Sequence, residues 1–294
     1  MGPILFVLFI NDLPDMVQST AKIFADDTKI FNKITTQDHH QQIQADLNRL
    51  VDWSKEWQLG FNESKCKVLH LGRNNPQLDY QMNGTTLKSD VREKDLGITI
   101  DTELKFHDHV ATAVNKASRM LGLVRKTFIC LDEITVPRLY TAMVRPHLEY
   151  GNVIWSPRYK ADCLEIEKIQ RRATKLVPTL RSLPYEKRIR SLKLPSLLHR
   201  RRRGDMIQVY KIVSGIDRIE PSLFFHQPEH SGTRGHSEKL HTKRAKLDVR
   251  SSFFSQRIVS DWNSLPEDAV SSTSLNAFKS RLDRFWRNEQ YKIP

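Results

Sequence analysis

The amino-acid sequence predicts an α+β protein in which short strands with one covering helix precede a mostly helical region. Residues 21–24 and 28–31 are short β-branched or aromatic runs of the kind that form strands. From about residue 105 onwards, apolar residues instead recur at the spacing of an α-helix. Charge also changes along the chain: residues 1–100 carry 11 Lys and Arg against 13 Asp and Glu, and the remainder carries 36 against 21.

Composition restricts the class of protein. The 294 residues suffice for about two domains, and the formal net charge of +13 is typical of a protein with a polyanionic partner. The three cysteines are far apart and form neither a disulfide framework nor a zinc motif, so we expect an intracellular protein of the nucleus or cytoplasm. The apolar run 3–10 is too short to cross a bilayer and lacks the features of a signal peptide, so no membrane partner is expected.

Asp26 and Asp27 lie between the two strand-like runs, where the sequence predicts the tip of a β-hairpin. Two adjacent carboxylates at such a tip can hold a hard divalent cation through their oxygen atoms. The alternative is a solvated turn without chemistry, because short motif matches carry a high risk of coincidence.

The residues before the hairpin favour the catalytic alternative. Residues 2–6 read Gly-Pro-Ile-Leu-Phe, residues 10–14 read Ile-Asn-Asp-Leu-Pro, and residues 24–27 read Phe-Ala-Asp-Asp. In this order and spacing they resemble the palm of the reverse transcriptases of jockey-type non-LTR retrotransposons. The resemblance implies an RNA-directed DNA polymerase with an RNA template and a DNA primer as partners. It also implies that Asp26 and Asp27 are catalytic ligands in a two-Mg²⁺ site that stabilises the attacking and leaving oxygens.

Such a site needs a third carboxylate from an earlier palm strand, together with fingers that clamp the nucleotide. Asp12 and Asp15 do not replace it, because they belong to the match at the end of the helix. We therefore expect the earlier strand and the fingers to lie before residue 1, in an upstream segment that acts as a partner. On this expectation Mg²⁺ binds only when the site is completed, and the chain alone is a truncated, inactive enzyme.

A helix is predicted over residues 36–58, with an apolar stripe that packs against strands and Gly60 after its end. Leu59, Asn62 and Lys65 then match a Leu-x-x-Asn-x-x-Lys element of the same family. The resemblance implies that Lys65 protonates the departing pyrophosphate. A lysine that only caps a loop is the alternative, because spacing does not fix a pKa.

Two further strand features follow. Asn83 and Gly84 predict a two-residue hairpin turn, and residues 94–100 predict a strand. Leu96 and Gly97 within that strand resemble the Leu-Gly pair that leads into the primer-gripping hairpin of the family. Asp95 stands where the family often has an aromatic residue.

The helix predicted over residues 161–177 has an apolar face and an opposite cationic face. The cationic residues, spaced i, i+3, i+4 and i+7, are Lys168, Arg171, Arg172 and Lys175. Such a face can follow a phosphate backbone while the apolar face packs on a core. The alternative is a plain solvated face.

The four consecutive arginines Arg200, Arg201, Arg202 and Arg203 extend this basic region within a helical pattern that Gly215 ends. They fit phosphate contact, a nuclear localisation signal or simple surface display. Residues 226–250 are rich in His, Gly, Ser and basic side chains, which predicts flexibility. The domains expected are therefore a partial palm at 1–104, a helical thumb-like region at 105–215 and a basic, partly flexible region at 216–294.

Three hypotheses remain open from the sequence. The first is a fragment of a reverse transcriptase, enzymatic by descent. The second is a non-catalytic RNA- or DNA-binding module that uses the thumb-like and basic regions. The third is a pseudogene-like product without a selected function.

Overall fold

The computed structural model describes residues 1–226 and 235–294 and divides the chain into two compact units, Met1–Leu104 and Lys105–Pro294. The first unit mixes helices with small sheets, whereas helices dominate the described part of the second. The α+β class predicted from the sequence is therefore confirmed. Along the described residues, no helix combines the length and the hydropathy required to cross a bilayer.

The first unit begins with a helix and a hairpin. Its elements are α1 (Gly2–Phe9), β1 (Thr20–Phe24), β2 (Asp27–Phe31), α2 (Gln37–Glu56), β3 (Lys67–Leu69), β4 (Gln81–Met82), β5 (Thr85–Thr86), β6 (Lys88–Asp90), β7 (Arg92–Asp95) and β8 (Ile98–Asp101). Strands pair in twos: β1–β2, β4–β5 and β7–β8 are antiparallel, and β3–β6 is parallel. Within residues 1–104 the single antiparallel sheet expected for a palm is not observed. Strands of two to five residues, interrupted by turns, do not align into one ladder.

Helix α2 provides the core of this unit. Its apolar stripe, predicted at helical spacing, places Leu50 and Trp53 against Tyr80 and Met82. All four side chains are buried. The core therefore holds the short strand pairs in place through α2 instead of through a shared sheet.

The prediction of a single strand over residues 94–100 is wrong, because the structure has a β-hairpin there. Leu96 and Gly97 form a two-residue turn between β7 and β8, with φ of +44° and +86°. Positive φ at both loop positions gives the backbone twist that matches paired strands, and glycine adopts it without a steric penalty. The apolar character of Leu96 suggested a strand, but the side chain is exposed.

Helix α1 is apolar on all sides and largely exposed. Ile4, Leu5, Val7 and Leu8 each leave more than half of their surface accessible to solvent. Phe6 on the helix and Ile10, directly after it, pack against the core that α2 organises, and Phe9 contacts the Trp53 ring. Contiguous exposed apolar surface of this kind marks a contact surface in soluble proteins.

The described part of the second unit is built mainly from helices. They are α3 (His107–Thr127), α4 (Thr135–Leu139), α5 (Pro146–Glu149), α6 (Asn152–Trp155), α7 (Lys160–Thr174), α8 (Tyr185–Ser191), α9 (Leu197–Val213), α10 (Asp248–Ser251), α11 (Phe254–Arg257), α12 (Val259–Asn263), α13 (Glu267–Val270) and α14 (Leu275–Phe285). A π-helical turn, Tyr140–Val144, connects α4 to α5. The helix predicted over residues 161–177 corresponds to α7, which begins one residue earlier and ends three residues earlier than predicted.

One apolar cluster joins α9 to the C-terminal helices. Met206 and Val209 of α9 pack with Trp262 of α12 and with Phe278 and Leu282 of α14. Residues before and after position 215 therefore share a core. Of the segment expected to be flexible, residues 227–234 lie outside the described residues, and His241 begins an exposed stretch that includes several basic side chains.

Candidate functional site

The acidic pair lies at the tip of the β1–β2 hairpin. Phe24 pairs with Asp27 in register, so Ala25 and Asp26 form a two-residue loop. Ala25 has φ of +52°, a left-handed conformation that residues with a Cβ rarely adopt. The tight loop exposes both carboxylates to solvent at the end of two rigid strands.

The hairpin has two different faces, because residues that pair across strands share a face. Ile23 and Ile30 belong to the inner face and pack against the core of the first unit. Asp27 belongs to the outer face, which also carries Lys22 and Lys29, a directly opposed pair. The outer face thus presents two cations beside one of the carboxylates.

The carboxylates of Asp26 and Asp27 suit a hard divalent cation, but two carboxylates are too few to form a complete metal site. Asp26 and Asp27 each offer two oxygen atoms, which are the donors that Mg²⁺ prefers. Neither carboxylate forms an ion pair or accepts a side-chain hydrogen bond from another described residue. In the described part of the chain, no cluster of three or more His, Cys, Asp or Glu residues has the arrangement of a metal site.

An ion pair connects the acidic hairpin to the Leu96–Gly97 turn. Nζ of Lys29 lies 2.5 Å from Oδ1 of Asp95, the last residue of β7. The turn resembling the primer-gripping element therefore begins one residue after a direct contact with β2. Leu96 itself is 41% exposed at the turn.

A buried carboxylate fixes the chain where it enters β1. Oδ1 and Oδ2 of Asp46, on α2, accept hydrogen bonds from the backbone N–H groups of Gln18 and Ser19 at 2.9 and 2.8 Å. The Arg49 guanidinium lies 2.5 Å away. Burial raises the pKa of Asp46, but these hydrogen bonds and the Arg49 charge outweigh burial and hold the pKa below its usual value. Asp46 thereby anchors the strand that leads to the acidic pair.

Lys65 is exposed in a turn that precedes β3. Its backbone N–H donates to the carbonyl oxygen of Asn62 at 3.0 Å, which closes the turn. Among the described residues, no hydrogen bond or ion pair joins Lys65 to the β1–β2 hairpin. Its assignment to proton transfer stays a prediction.

The cationic face of α7 is partly engaged. Lys168 forms an exposed ion pair with Glu165 at 3.2 Å, and the Arg171 guanidinium stacks 4.8 Å from the centre of the Tyr185 ring. Arg172 donates to Oγ of Ser118 at 3.0 Å, and Lys175 is exposed at the end of the helix. The opposite face packs into the unit, as the periodicity predicts.

The four-arginine run of α9 lies inside a network of carboxylates. Arg200 donates to both oxygens of Glu149, and Arg203 donates to both oxygens of Asp283. Arg202 donates to both oxygens of Asp261 at 2.8 and 2.9 Å and to Glu289 at 2.7 Å.

These internal partners satisfy three of the four guanidinium groups, so they hold α9 against its neighbouring elements. Arg201 differs from them because its side chain is buried. The run is therefore not a free basic surface. Sequence reasoning missed these pairings because the partners are 51 to 87 residues away from the arginines along the chain.

Comparisons with known proteins relate this chain to one family. Residues 1–100 match the family profile described as reverse transcriptase (RNA-dependent DNA polymerase). The chain is 25% identical over 191 residues to a probable RNA-directed DNA polymerase from transposon X-element of Drosophila melanogaster, a match that covers 60% of this chain and 21% of that protein. It is also 25% identical over 228 residues to the RNA-directed DNA polymerase from mobile element jockey of the same species, which covers 71% and 24%.

The protein of the same description from Drosophila funebris is 23% identical over 218 residues, covering 67% of this chain and 23% of the relative. The chain thus spans less than a quarter of the length of the curated relatives that it matches. No solved structure matches it.

Proposed function

We propose that this chain forms the palm and thumb-like part of an RNA-directed DNA polymerase, because residues 1–100 match the reverse transcriptase profile and the chain is similar to the polymerases of the X-element and jockey mobile elements. The reaction is template-directed transfer of a nucleotidyl group to a primer end. RNA template and DNA primer are its partners. The proposed location is the nucleus or the cytoplasm, whichever compartment holds the RNA template during copying.

One observation carries this proposal: two adjacent carboxylates, exposed and unpaired within the described chain, lie at the tip of the hairpin inside the matched segment. Buried carboxylates in a protein are engaged by hydrogen bonds or cations, as Asp46 is, which leaves them unavailable to a metal ion. Asp26 and Asp27 lack such partners; Asp26 lies in the loop beside Ala25, which has a strained positive φ, and Asp27 is the first residue of β2. Strain of this kind is concentrated at functional sites.

In the proposed mechanism Asp26 and Asp27 provide oxygen ligands for Mg²⁺. The bound cation supplies electrostatic stabilisation for the attacking and leaving oxygens of phosphoryl transfer. The rigid hairpin limits the positions that the carboxylates can take, which matters because rate depends steeply on placement. Lys65 is the proposed proton donor to the departing pyrophosphate, and Lys22 on the outer face attracts a phosphate backbone.

The same proposal holds that these 294 residues do not catalyse nucleotidyl transfer by themselves. Two carboxylates do not fill a two-metal site, and the described residues offer no third ligand in a metal-binding arrangement. A further palm segment with its own carboxylate is the partner that completes the site. Mg²⁺ binds firmly only in that complete assembly.

The thumb-like role is assigned to the cationic face of α7. Its exposed residues Lys168, Arg172 and Lys175 present positive charge outward while the apolar face is buried. Neutralising phosphates in this way releases counterions and gives sequence-independent binding. The arginines of α9 contribute less to this track, because Arg200, Arg202 and Arg203 already pair with internal carboxylates.

A chimeric polymerase tests the catalytic proposal. The N-terminal portion of the jockey relative, joined to residues 1–294, provides the segment that precedes the matched region. We expect Mg²⁺-dependent primer extension on an RNA template, reduced by more than about 100-fold in Asp26→Asn and Asp27→Asn. Asp15→Asn, an exposed carboxylate near the same hairpin, is the control and should retain activity. Equal activity of all three variants would refute the role of the pair.

The second candidate function, a non-catalytic nucleic-acid-binding module, is favoured by the α7 surface alone. It requires binding that survives Asp26→Asn and falls when Lys168, Arg172 and Lys175 are neutralised. An inactive chimera that still binds RNA with a steep salt dependence would favour this candidate over the polymerase.

A further inference from the structure

A cavity of about 240 Å³ lies between α9 and the C-terminal helices of the second unit. Its wall includes Arg201, Arg202 and Asp205 from α9, and Arg257 and Asp261 from the α11–α12 region. One ordered water needs only about 10–15 Å³ of such space, so the cavity has room for a polyatomic ion.

Two of the three arginines in the wall are neutralised by carboxylates of the same wall. Arg202 pairs with Asp261 through two hydrogen bonds, at 2.9 and 2.8 Å. Arg257 pairs with Asp205 in the same two-point manner, also at 2.9 and 2.8 Å. These bidentate pairs leave Arg201 as the arginine of this wall without a carboxylate hydrogen-bonded to its Nη1 or Nη2.

Arg201 is only 3% exposed, yet neither Nη1 nor Nη2 has a hydrogen-bond partner among the described residues. Nearby negative groups are committed elsewhere: Glu167 accepts hydrogen bonds from the Tyr185 hydroxyl and from the backbone N–H of Leu197. Cys163 lies close by, but burial raises the pKa of its thiol, so the neutral thiol brings no negative charge. A buried guanidinium whose two Nη groups lack hydrogen-bond acceptors is unfavourable and is rare in folded proteins.

We propose that this cavity binds a small oxyanion of the phosphate class, held by the guanidinium of Arg201. A planar guanidinium presents parallel N–H groups that match two oxygens of a phosphate. The burial of Arg201 excludes the backbone of a continuous duplex and selects a free phosphate or a phosphate at the end of a strand. The site is separate from the acidic hairpin and does not depend on the proposed polymerase function.

Thermal unfolding with inorganic phosphate as the probe tests this assignment. At constant ionic strength set with NaCl, phosphate should raise the Tm of the full chain in a saturable way, by about 2–6 °C at ten times its Kd. Arg201→Met should abolish the rise, whereas Arg284→Met, an exposed arginine outside the cavity, should retain it.

A second variant keeps the proposal testable if Arg201→Met fails to fold. Leu198→Trp keeps every charge but fills the cavity, whose wall includes Leu198, and should also abolish the rise. No saturable rise in the wild-type chain, or an equal rise in Leu198→Trp, would overturn the proposal. A 5′-phosphorylated dinucleotide compared with its unphosphorylated form identifies the source: binding tighter than inorganic phosphate indicates a strand end, and binding no tighter indicates the free ion.

Discussion

Nζ of Lys29 lies 2.5 Å from Oδ1 of Asp95, so the strand that follows the acidic pair is bound to the strand that leads into the Leu96–Gly97 turn. The two residues are 66 positions apart in the chain. Both are partly exposed, at 40% and 27% for their side chains. This ion pair connects the acidic hairpin to the Leu96–Gly97 turn within the first unit. A displacement of either one relative to the other would break the ion pair.

The Lys29–Asp95 pair should contribute little to stability and more to positioning. A double-mutant cycle with Lys29→Met and Asp95→Asn should give a coupling of about 0.5–1 kcal/mol in the free energy of unfolding, because exposed ion pairs are screened by solvent. Coupling should fall with added salt. In the chimeric polymerase, Asp95→Asn should reduce primer extension more than this small stability loss explains. A coupling of zero at low salt would contradict the contact.

Asp46 should contribute much more to the free energy of unfolding than an exposed carboxylate on the same helix does. Asp46→Asn loses the charge-assisted bonds to the backbone of Gln18 and Ser19, which should lower the free energy of unfolding by about 2–4 kcal/mol. Asp52→Asn, an exposed position on the same helix, is the matched control and should change stability little. Chemical denaturation of both variants measures the difference.

The pH dependence of the Asp46 contribution has a defined sign. Its pKa in the folded chain is below that of the unfolded chain, so its stabilisation is present above pH ~4 and is lost as pH falls through the folded-state pKa. Asp46→Asn should therefore show a shallower loss of stability on acidification than the wild-type chain. An identical acid profile would contradict the assignment.

His199 should make the second unit sensitive to mild acid. Burial is the largest influence on this side chain and, despite the opposing charge of Asp283, its pKa is lowered to about 4. The ring lies 5.8 Å from that of Trp286. Because the unfolded pKa is near 6.5, stability is fully present above that pH and is lost as pH falls from about 6.5 to 4, by on the order of 2–3 kcal/mol.

Tm measured from pH 7 to 4.5 tests this sensitivity. His199→Phe removes the titrating group and should flatten the profile, whereas His241→Phe, at an exposed position, should not. A wild-type Tm that does not change between pH 6.5 and 4.5 would contradict the claim that burial of neutral His199 makes the stability of the folded chain depend on pH.

Nucleic-acid binding should depend on the α7 face. Changing Lys168, Arg172 and Lys175 together to Gln should weaken binding of single-stranded RNA and reduce the slope of log K against log salt by about 0.7 for each lost phosphate contact. The matched control changes the exposed α8-region cations Lys187, Arg190 and Lys193 to Gln. Equal loss in both triple variants would assign binding to overall charge instead of to this face.

Local patterns predicted the parts of the fold that depend on nearby residues. The hairpin at 20–31, helix α2 and helix α7 each follow from periodicity and turn residues within one segment, and the structure has all three. The sequence also placed Asp26 and Asp27 at a hairpin tip, which is confirmed. These features need no information about distant residues.

Features that depend on distant partners could not be predicted. The strand expected at 94–100 is interrupted because Leu96 and Gly97 adopt positive φ, a backbone choice that the apolar composition does not reveal. The arginines of α9 resembled a free basic surface, yet carboxylates as far away as Glu289 pair with them. Charge runs are visible in a sequence, whereas their compensation appears only when the chain is folded.

The central claim, that Asp26 and Asp27 are ligands of a divalent cation, is tested most directly by paramagnetic relaxation with Mn²⁺ on the ¹⁵N-labelled chain, because this effect detects even the weak binding that two carboxylates give without the rest of the site. Substoichiometric Mn²⁺ should broaden the amide signals of residues 24–28 first, and excess Mg²⁺ should reverse the broadening. Asp26→Asn should remove this local effect, while Asp38→Asn, an exposed carboxylate at the start of α2, should leave it intact. Broadening that is absent from the hairpin, or unchanged in Asp26→Asn, would contradict the claim.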